Sequence, residues 1–470
     1  MKRKLALLIA LPITLLSLAS CGNNGGDPTP DEDENLTGEG ANISFFGWGS
    51  NEEQANFKQL VNYYNEHNDK DIHVTYSATD SSNYLVTLQN RAENLPDVFY
   101  MPDYAFYTWA ASGRLMRLDD STSKLSVSEN ELEPIWDKAV DMYRFDRNSL
   151  TLGSGDLYGL PKDLGPYTLV YNKDLLEQCI ESSGGKLSLP SATKPMTFTE
   201  FSEYCAAIQT ELDKISPDTK KYAVSSYEIM PAVYSNNSDF YKGDDKRTSN
   251  VSDPNFYNAI QFIADLNLKY KAMPSAAEQT STNGFVRFQS GNCVFTNMGP
   301  WDMTSFWNLD FDFDVIPVAK GDGADAKSTA WVGSVAYCVS AKSRNKAASL
   351  DFIKFLSLSE ESNRMNYELG QAMPNIEEMA KTDFVNNVGI DDTAKQRPAN
   401  KQLFVDIVSG DNPEIGGNNR AAYFCPSSAP YDNLLDSLND VWTGKETAQK
   451  WASHYDATFQ KDLDDAYEFF

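Results

Sequence analysis

Apolar positions along this chain alternate between a two-residue and a 3.6-residue spacing, and the alternation predicts strands followed by helices. Ile43 to Trp48 reads as a short strand. Ser50-Asn51-Glu52-Glu53 then forms a capping box, with Ser50 as N-cap and Glu53 at N3. Phe57, Leu60, Val61 and Tyr64 follow at i, i+3, i+4 and i+7, the stripe of an amphipathic helix. Ile72 to Ala78 predicts a second strand, and Tyr84, Leu85 and Leu88 a second helix. Asp97 to Met101 predicts a third strand, and Ala105 to Ser112 a third helix stopped by Gly113. A βαβαβα run of this kind implies a parallel sheet flanked by helices.

The later chain repeats the pattern. Tyr167 to Tyr171 predicts a strand that feeds a helix from Lys173. Thr197-Phe198-Thr199-Glu200 is another capping box, and Asp253-Pro254 pairs an N-cap with a proline at the first helical position. Val294 to Met298 predicts a strand, after which Gly299-Pro300-Trp301-Asp302 opens a helix. Phe313 to Val318 and Val335 to Ser340 read as strands, and Ala347 to Leu356 as a helix. In open α/β sheets ligands sit at the carboxyl ends of strands, beside helix N-termini. Trp48 and Trp301 fall at such ends.

The N-terminus reads differently. Lys2, Arg3 and Lys4 precede an apolar core from Leu5 to Leu16, of signal-peptide length and too short to span a bilayer. Leu18-Ala19-Ser20-Cys21 ends it as a lipoprotein processing site, which makes Cys21 the expected lipidated residue and 1–20 the signal peptide. The acidic, Gly- and Pro-rich stretch 21–41 cannot bury apolar surface and is expected to act as a flexible linker. Removing the signal takes away three positive charges and no negative ones, so the formal charge of −27 becomes more negative still. That disfavours nucleic acid as a partner. No later stretch is apolar enough for a membrane helix, so a soluble body is expected, and its length favours two lobes.

Chemistry-bearing motifs are sparse. Cys179, Cys205, Cys293, Cys338 and Cys425 are widely spaced with no CxxC, which favours buried free thiols and leaves a Cys179–Cys205 pair open. His67, His73 and His454 lack metal-ligand spacing, and no nucleophile elbow, Walker loop or GxGxxG occurs. No cofactor, metal site or catalytic residue is expected. Aromatic residues, by contrast, are abundant, with 8 Trp, 24 Tyr and 25 Phe, a surplus suited to amphipathic ligands.

Seven segments in order carry a resemblance. They are FFGWGS (45–50), IHVTY (72–76), LPDVFYMPDYAFYTWAASGRLMRLD (95–119), DLYGLPKDLGPYTLVYNKDLL (156–176), FVRFQSGNCVFTNMGPWD (285–302), KAASLDFIKFL (346–356) and VWTGKETAQK (441–450). The chain resembles the extracellular solute-binding proteins of ABC importers, family 1, in the group of carbohydrate receptors similar to maltose-binding protein. The resemblance implies a two-lobe periplasmic-binding-protein-like α/β fold of type II, with a cleft between lobes and hinge crossovers. It puts residues 42–164 plus 334–376 in the N-terminal lobe and 165–333 plus 377–470 in the C-terminal lobe. It implies capture of a carbohydrate for a membrane permease by a lipid-anchored, monomeric receptor on the outer face of the cytoplasmic membrane, with no catalysis.

A sugar offers apolar C–H faces and a rim of hydroxyls, so its site calls for flat aromatics beside polar side chains. The residues that the resemblance nominates are Trp48, Ser50, Asn51, Glu52, Asp103, Tyr104, Asp163, Tyr167, Tyr227, Glu228, Trp301, Asp302, Trp331, Arg420 and Tyr431. Asp103 and Tyr104 are expected in a loop after the third strand. The chain departs from the maltose-binding pattern at Gly165 and Ala105, which replace an acidic and a basic residue. Two alternatives stay open: a receptor for a polyamine, peptide or phosphorylated polyol, and a surface glycoside hydrolase, which needs two carboxylates ~5–10 Å apart. A cation receptor in particular would need carboxylates in the cleft itself.

Overall fold

The computed structural model describes residues 36–92, 94–243, 245–418 and 426–468. The signal peptide, Cys21, most of the linker, Arg420 and Cys425 lie outside the described residues. The predicted alternation folds into two helix-flanked sheets. In the first, the strands run in the order 73–79, 42–48, 98–102, 335–339 and 160–161. The first three are parallel, as the βαβαβα pattern requires. The strand 335–339, which follows a strand of the other sheet, pairs antiparallel with 98–102 and makes the sheet mixed. The second sheet runs 415–418, 328–333, 165–172, 293–298, 222–224, with 313–316 pairing the later half of 165–172.

Helix starts follow the local chemistry. Ser50 accepts the Glu53 amide at 3.2 Å while the Glu53 carboxylate takes the Ser50 N–H at 2.7 Å, closing the capping box. Thr197 and Glu200 do the same for Phe198–Ile215, and Asp253 caps Pro254–Leu268. Phe57, Leu60, Val61 and Tyr64 are all buried, so the apolar stripe of helix Asn51–His67 meets the first sheet. Burying each such side chain contributes roughly 1.5–3 kcal/mol. The segment after Gly299 is a 3₁₀ turn, Pro300–Asp302, that runs into a single helical turn, Met303–Phe306. The small meander of Arg144–Asp146, Thr151–Leu152 and Asp156–Leu157 and the long helix Ala448–Glu468 were not anticipated. Cys179, Cys205, Cys293 and Cys338 are buried free thiols. Among the described residues no helix is long and apolar enough to cross a membrane.

Two adjacent strands link the sheets. Pro161 faces Ala336 on one side of the crossing, and Gly165 faces Gly333 on the other. Between those pairs Lys162, Asp163 and Leu164 oppose only Ser334 and Val335, so the antiparallel ladder carries an extra residue, as in a β-bulge. Asp163 closes the gap that results. Its carboxylate accepts the Val335 N–H at 3.1 Å, its carbonyl accepts the Ser334 hydroxyl at 2.5 Å, and the Lys162 N–H bonds to the Val335 carbonyl at 2.7 Å.

Candidate functional site

The crossing forms the floor of a cavity of about 230 Å³ whose walls come from both sheets. Trp48 enters it from the last position of strand Asn42–Trp48, held edge-on against Tyr100 at a centroid separation of 5.0 Å and an angle of 89°. Trp301 enters from the opposite side, where strand Cys293–Met298 ends. Its indole stacks on Tyr167 at 5.8 Å and 11°, and Tyr167 in turn meets Trp331 edge-on at 5.8 Å and 77°. The indole also rests on bare main chain. A Cβ at Gly165 would lie 2.2 Å from its Cζ3, and one at Gly299 2.3 Å from its Cη2. Glycine at both positions is therefore a condition for the ring to lie where it does.

Polar groups ring these faces. Glu53 lines the cavity from the first turn of its helix. Asp103 is buried, and its Oδ1 accepts the Tyr104 N–H at 2.8 Å. The buried pair Lys162–Asp163 meets at 2.6 Å, with the ammonium 5.4 Å from the centre of the Phe57 ring. Asp302 accepts the Gly299 N–H at 2.9 Å. Burial, with a smaller contribution from the charge of Glu53, lifts the Asp302 carboxyl to about 7 against the Gly299 N–H bond. Outside this cavity, burial also raises the Glu228 carboxyl. Carboxylates in such a setting accept hydrogen bonds from ligand donors with little competition from water.

Of the residues nominated from the sequence, Trp48, Asp103, Tyr104, Asp163, Trp301 and Trp331 line this one cavity. Tyr167 backs the Trp301 ring, and Asp302 adjoins it. Asp103 and Tyr104 occupy the first turn of helix Asp103–Ala111 and not a loop, because the helix starts directly at Pro102. Ser50, Asn51 and Glu52 do not line it. They are exposed, and both the hydroxyl and the amide of Ser50 are taken by the capping box. Tyr227, Glu228 and Tyr431 line a second cavity of about 200 Å³ together with Trp442. The Tyr227 hydroxyl accepts the Ala319 N–H at 2.9 Å and its ring packs edge-on against Phe262, as a core residue does. A third cavity, about 580 Å³, shares Tyr104 with the first and is bordered by Thr108, which bonds to the Pro426 carbonyl at 3.0 Å.

Glu53, Tyr100, Lys162 and Ser334 line the central cavity without having been nominated. Glu53 was legible as a cap and nothing more, although an N3 carboxylate on a helix that starts at a strand's carboxyl end faces the same space. Nothing in the sequence separates Ser334 from an ordinary strand residue.

Two α/β sheets joined by paired crossovers, with an aromatic and acidic cavity on the crossing, define a two-lobe solute receptor. The chain belongs to the bacterial extracellular solute-binding proteins, whose family model matches residues 59–395. These are binding proteins that work outside the cytoplasm. A galactooligosaccharide-binding protein of Bacillus subtilis is 22% identical over 391 residues, covering 81% of this chain and 82% of that protein. An ABC substrate-binding protein from Listeria monocytogenes, solved with cycloalternan, superimposes with a TM-score of 0.73 at 17% identity over 90% of this chain and 99% of the other. The GacH receptor of Streptomyces glaucescens, studied without ligand and with acarbose, gives 0.68 at 20% identity over 90% and 99%.

Proposed function

We propose that this protein is the substrate-binding lipoprotein of an ABC importer and holds a carbohydrate of more than one ring in the central cleft. The observation that carries the reading is the set of indoles, Trp48, Trp301 and Trp331, converging with carboxylates on one cavity. Flat apolar faces suit the C–H surface of a pyranose, and the carboxylates suit its hydroxyls. The oligosaccharides named for its relatives from B. subtilis, Listeria and Streptomyces support the same class. The larger cavity that shares Tyr104 offers room for further rings.

Residues 42–164 and 334–376 form one lobe, and 165–333 and 377–470 the other. Contacts of Lys381 with Trp136 and of Phe384 with Tyr367 tie the start of the last segment to the first lobe. The monomer is anchored to the outer face of the cytoplasmic membrane through lipid on Cys21, and it releases its sugar chemically unchanged to the permease.

A thermal-shift screen of the mature protein against mono- and oligosaccharides tests this. A cognate sugar at 100 times its dissociation constant stabilises by about 2.7 kcal/mol. No stabilisation by any saccharide, or steady release of new reducing ends over many turnovers, overturns the proposal.

A further inference from the structure

Beside Trp48, one polar atom of the cleft has nothing to bond to. Tyr100 lies on strand 98–102, opposite Tyr337 of the strand that continues the crossing, and it lines the central cavity. The residue is 1% exposed, and its hydroxyl has no hydrogen-bond partner among the described residues. The polar groups of the floor, by contrast, are engaged by the crossing itself. Lys162 is bonded to Asp163 at 2.6 Å, the Asp163 carboxylate to the Val335 N–H at 3.1 Å, and the Ser334 hydroxyl to the Asp163 carbonyl at 2.5 Å. Tyr76, Tyr143 and Tyr337 also carry buried hydroxyls without a partner, but none of the three lines this cavity.

Packing keeps the Tyr100 ring from turning toward a partner of its own. Phe45, Trp48 and Phe57 meet it edge-on at 5.3, 5.0 and 5.5 Å. The ring also rests on the main chain of Gly47, where a Cβ would lie 2.9 Å from its Cε2. Burial above all raises the phenol well above its ordinary range, so at neutral pH it keeps its proton and both donates and accepts. A buried hydroxyl left unbonded is costly, and a ligand group that bonds to it recovers that cost on binding. An analogue without the group leaves the site unpaired, which is how such sites reject deoxygenated competitors.

We infer that Tyr100 is a specificity-determining residue of the cleft: its hydroxyl binds one hydroxyl of the saccharide, and the receptor discriminates against saccharides deoxygenated at that position. The inference rests on the carbohydrate reading and deepens it.

Calorimetry on the mature protein at pH 7 tests this, with maltotriose, galactotriose and the monodeoxy series of whichever binds more tightly. If neither binds, the strongest stabiliser from the thermal-shift screen takes their place. Tyr100→Phe is expected to bind the parent saccharide roughly tenfold or more weakly. It should melt no lower than wild type, because the hydroxyl it removes bonds to nothing in the free protein. One monodeoxy analogue should bind wild type more weakly than its parent by a similar factor, and Tyr100→Phe should no longer tell the two apart. Tyr337→Phe, which removes an equally unbonded hydroxyl from a residue that does not line the cavity, should bind as wild type does. Unchanged affinity in Tyr100→Phe, an equal loss in Tyr337→Phe, a Tyr100→Phe protein that melts well below wild type, or no deoxy position whose penalty depends on Tyr100 overturns this role and leaves the carbohydrate reading standing. A wild type that binds no saccharide overturns both.

Discussion

Replacing Trp301 by alanine separates a binding platform from a core residue. The indole is only partly buried, stacked on Tyr167 at 5.8 Å and seated on Gly165 and Gly299. A pyranose laid on its free face would remove roughly 100 Å² of apolar surface from water, on the order of 2.5 kcal/mol at 25 cal/mol per Å². That corresponds to a loss of close to a hundredfold in affinity. Truncating a fully buried tryptophan costs about 3–5 kcal/mol of stability. Trp301 is neither fully buried nor enclosed, so its loss should cost stability well below that range. Calorimetry with the cognate sugar and thermal melting of the same variant give the two numbers. Near-normal affinity with a sharply lowered melting temperature would refute the reasoning and place Trp301 in the core.

Four further outcomes are expected. Gly165→Ala, which removes no group, should weaken binding by at least tenfold, because its methyl would lie 2.2 Å from the Trp301 ring; isothermal titration checks it. Small-angle scattering should show a smaller radius of gyration with ligand, and Asp163→Ala, which strips the Val335 N–H and Lys162 of their partner, should change the ligand-free profile. Lys401 is buried with its ammonium on the Asn387 side chain, and burial lowers it to about 8. The unfolded chain therefore holds more protons above that value, so wild type should gain about 2 kcal/mol over Lys401→Met between pH 7 and 9.5, read by urea melts. Cys21→Ala should abolish membrane partitioning; a variant that still sediments fully with membranes contradicts the lipid anchor.

How much was legible in the sequence depended on how local the signal was. The capping boxes at Ser50 and Thr197 and the N-cap at Asp253 sit where the sequence puts them, because each is decided within four residues. The three strand–helix units of the first lobe were legible for the same reason, and so was the placement of Trp48 and Trp301 at strand ends. The antiparallel insertion of 335–339 beside 98–102 was not, since strand partners more than two hundred residues apart leave no local trace. Glu53 was hidden by its own visible role as a cap. The helix at Asp103 begins two residues earlier than expected, directly after Pro102 and without a side-chain cap, so no Ser, Thr, Asp or Asn at the N-cap position marks its start. Asp103 and Asp163 were nominated through the resemblance and do line the cleft, but in a chain that is acidic nearly everywhere only the fold adds Glu53 to them.

The seating of Trp301 on two glycines also limits how this receptor can diverge. The resemblance to maltose-binding receptors implies an acidic ligand contact at position 165, and here any side chain would collide with the indole. The two solutions are mutually exclusive states of one site. A lineage moving between them by single substitutions must pass through an intermediate that has either a displaced tryptophan or neither contact, and so binds poorly by both routes. Residues 165, 299 and 301 should consequently change together among descendants, and a laboratory effort to redirect specificity should vary all three in one library.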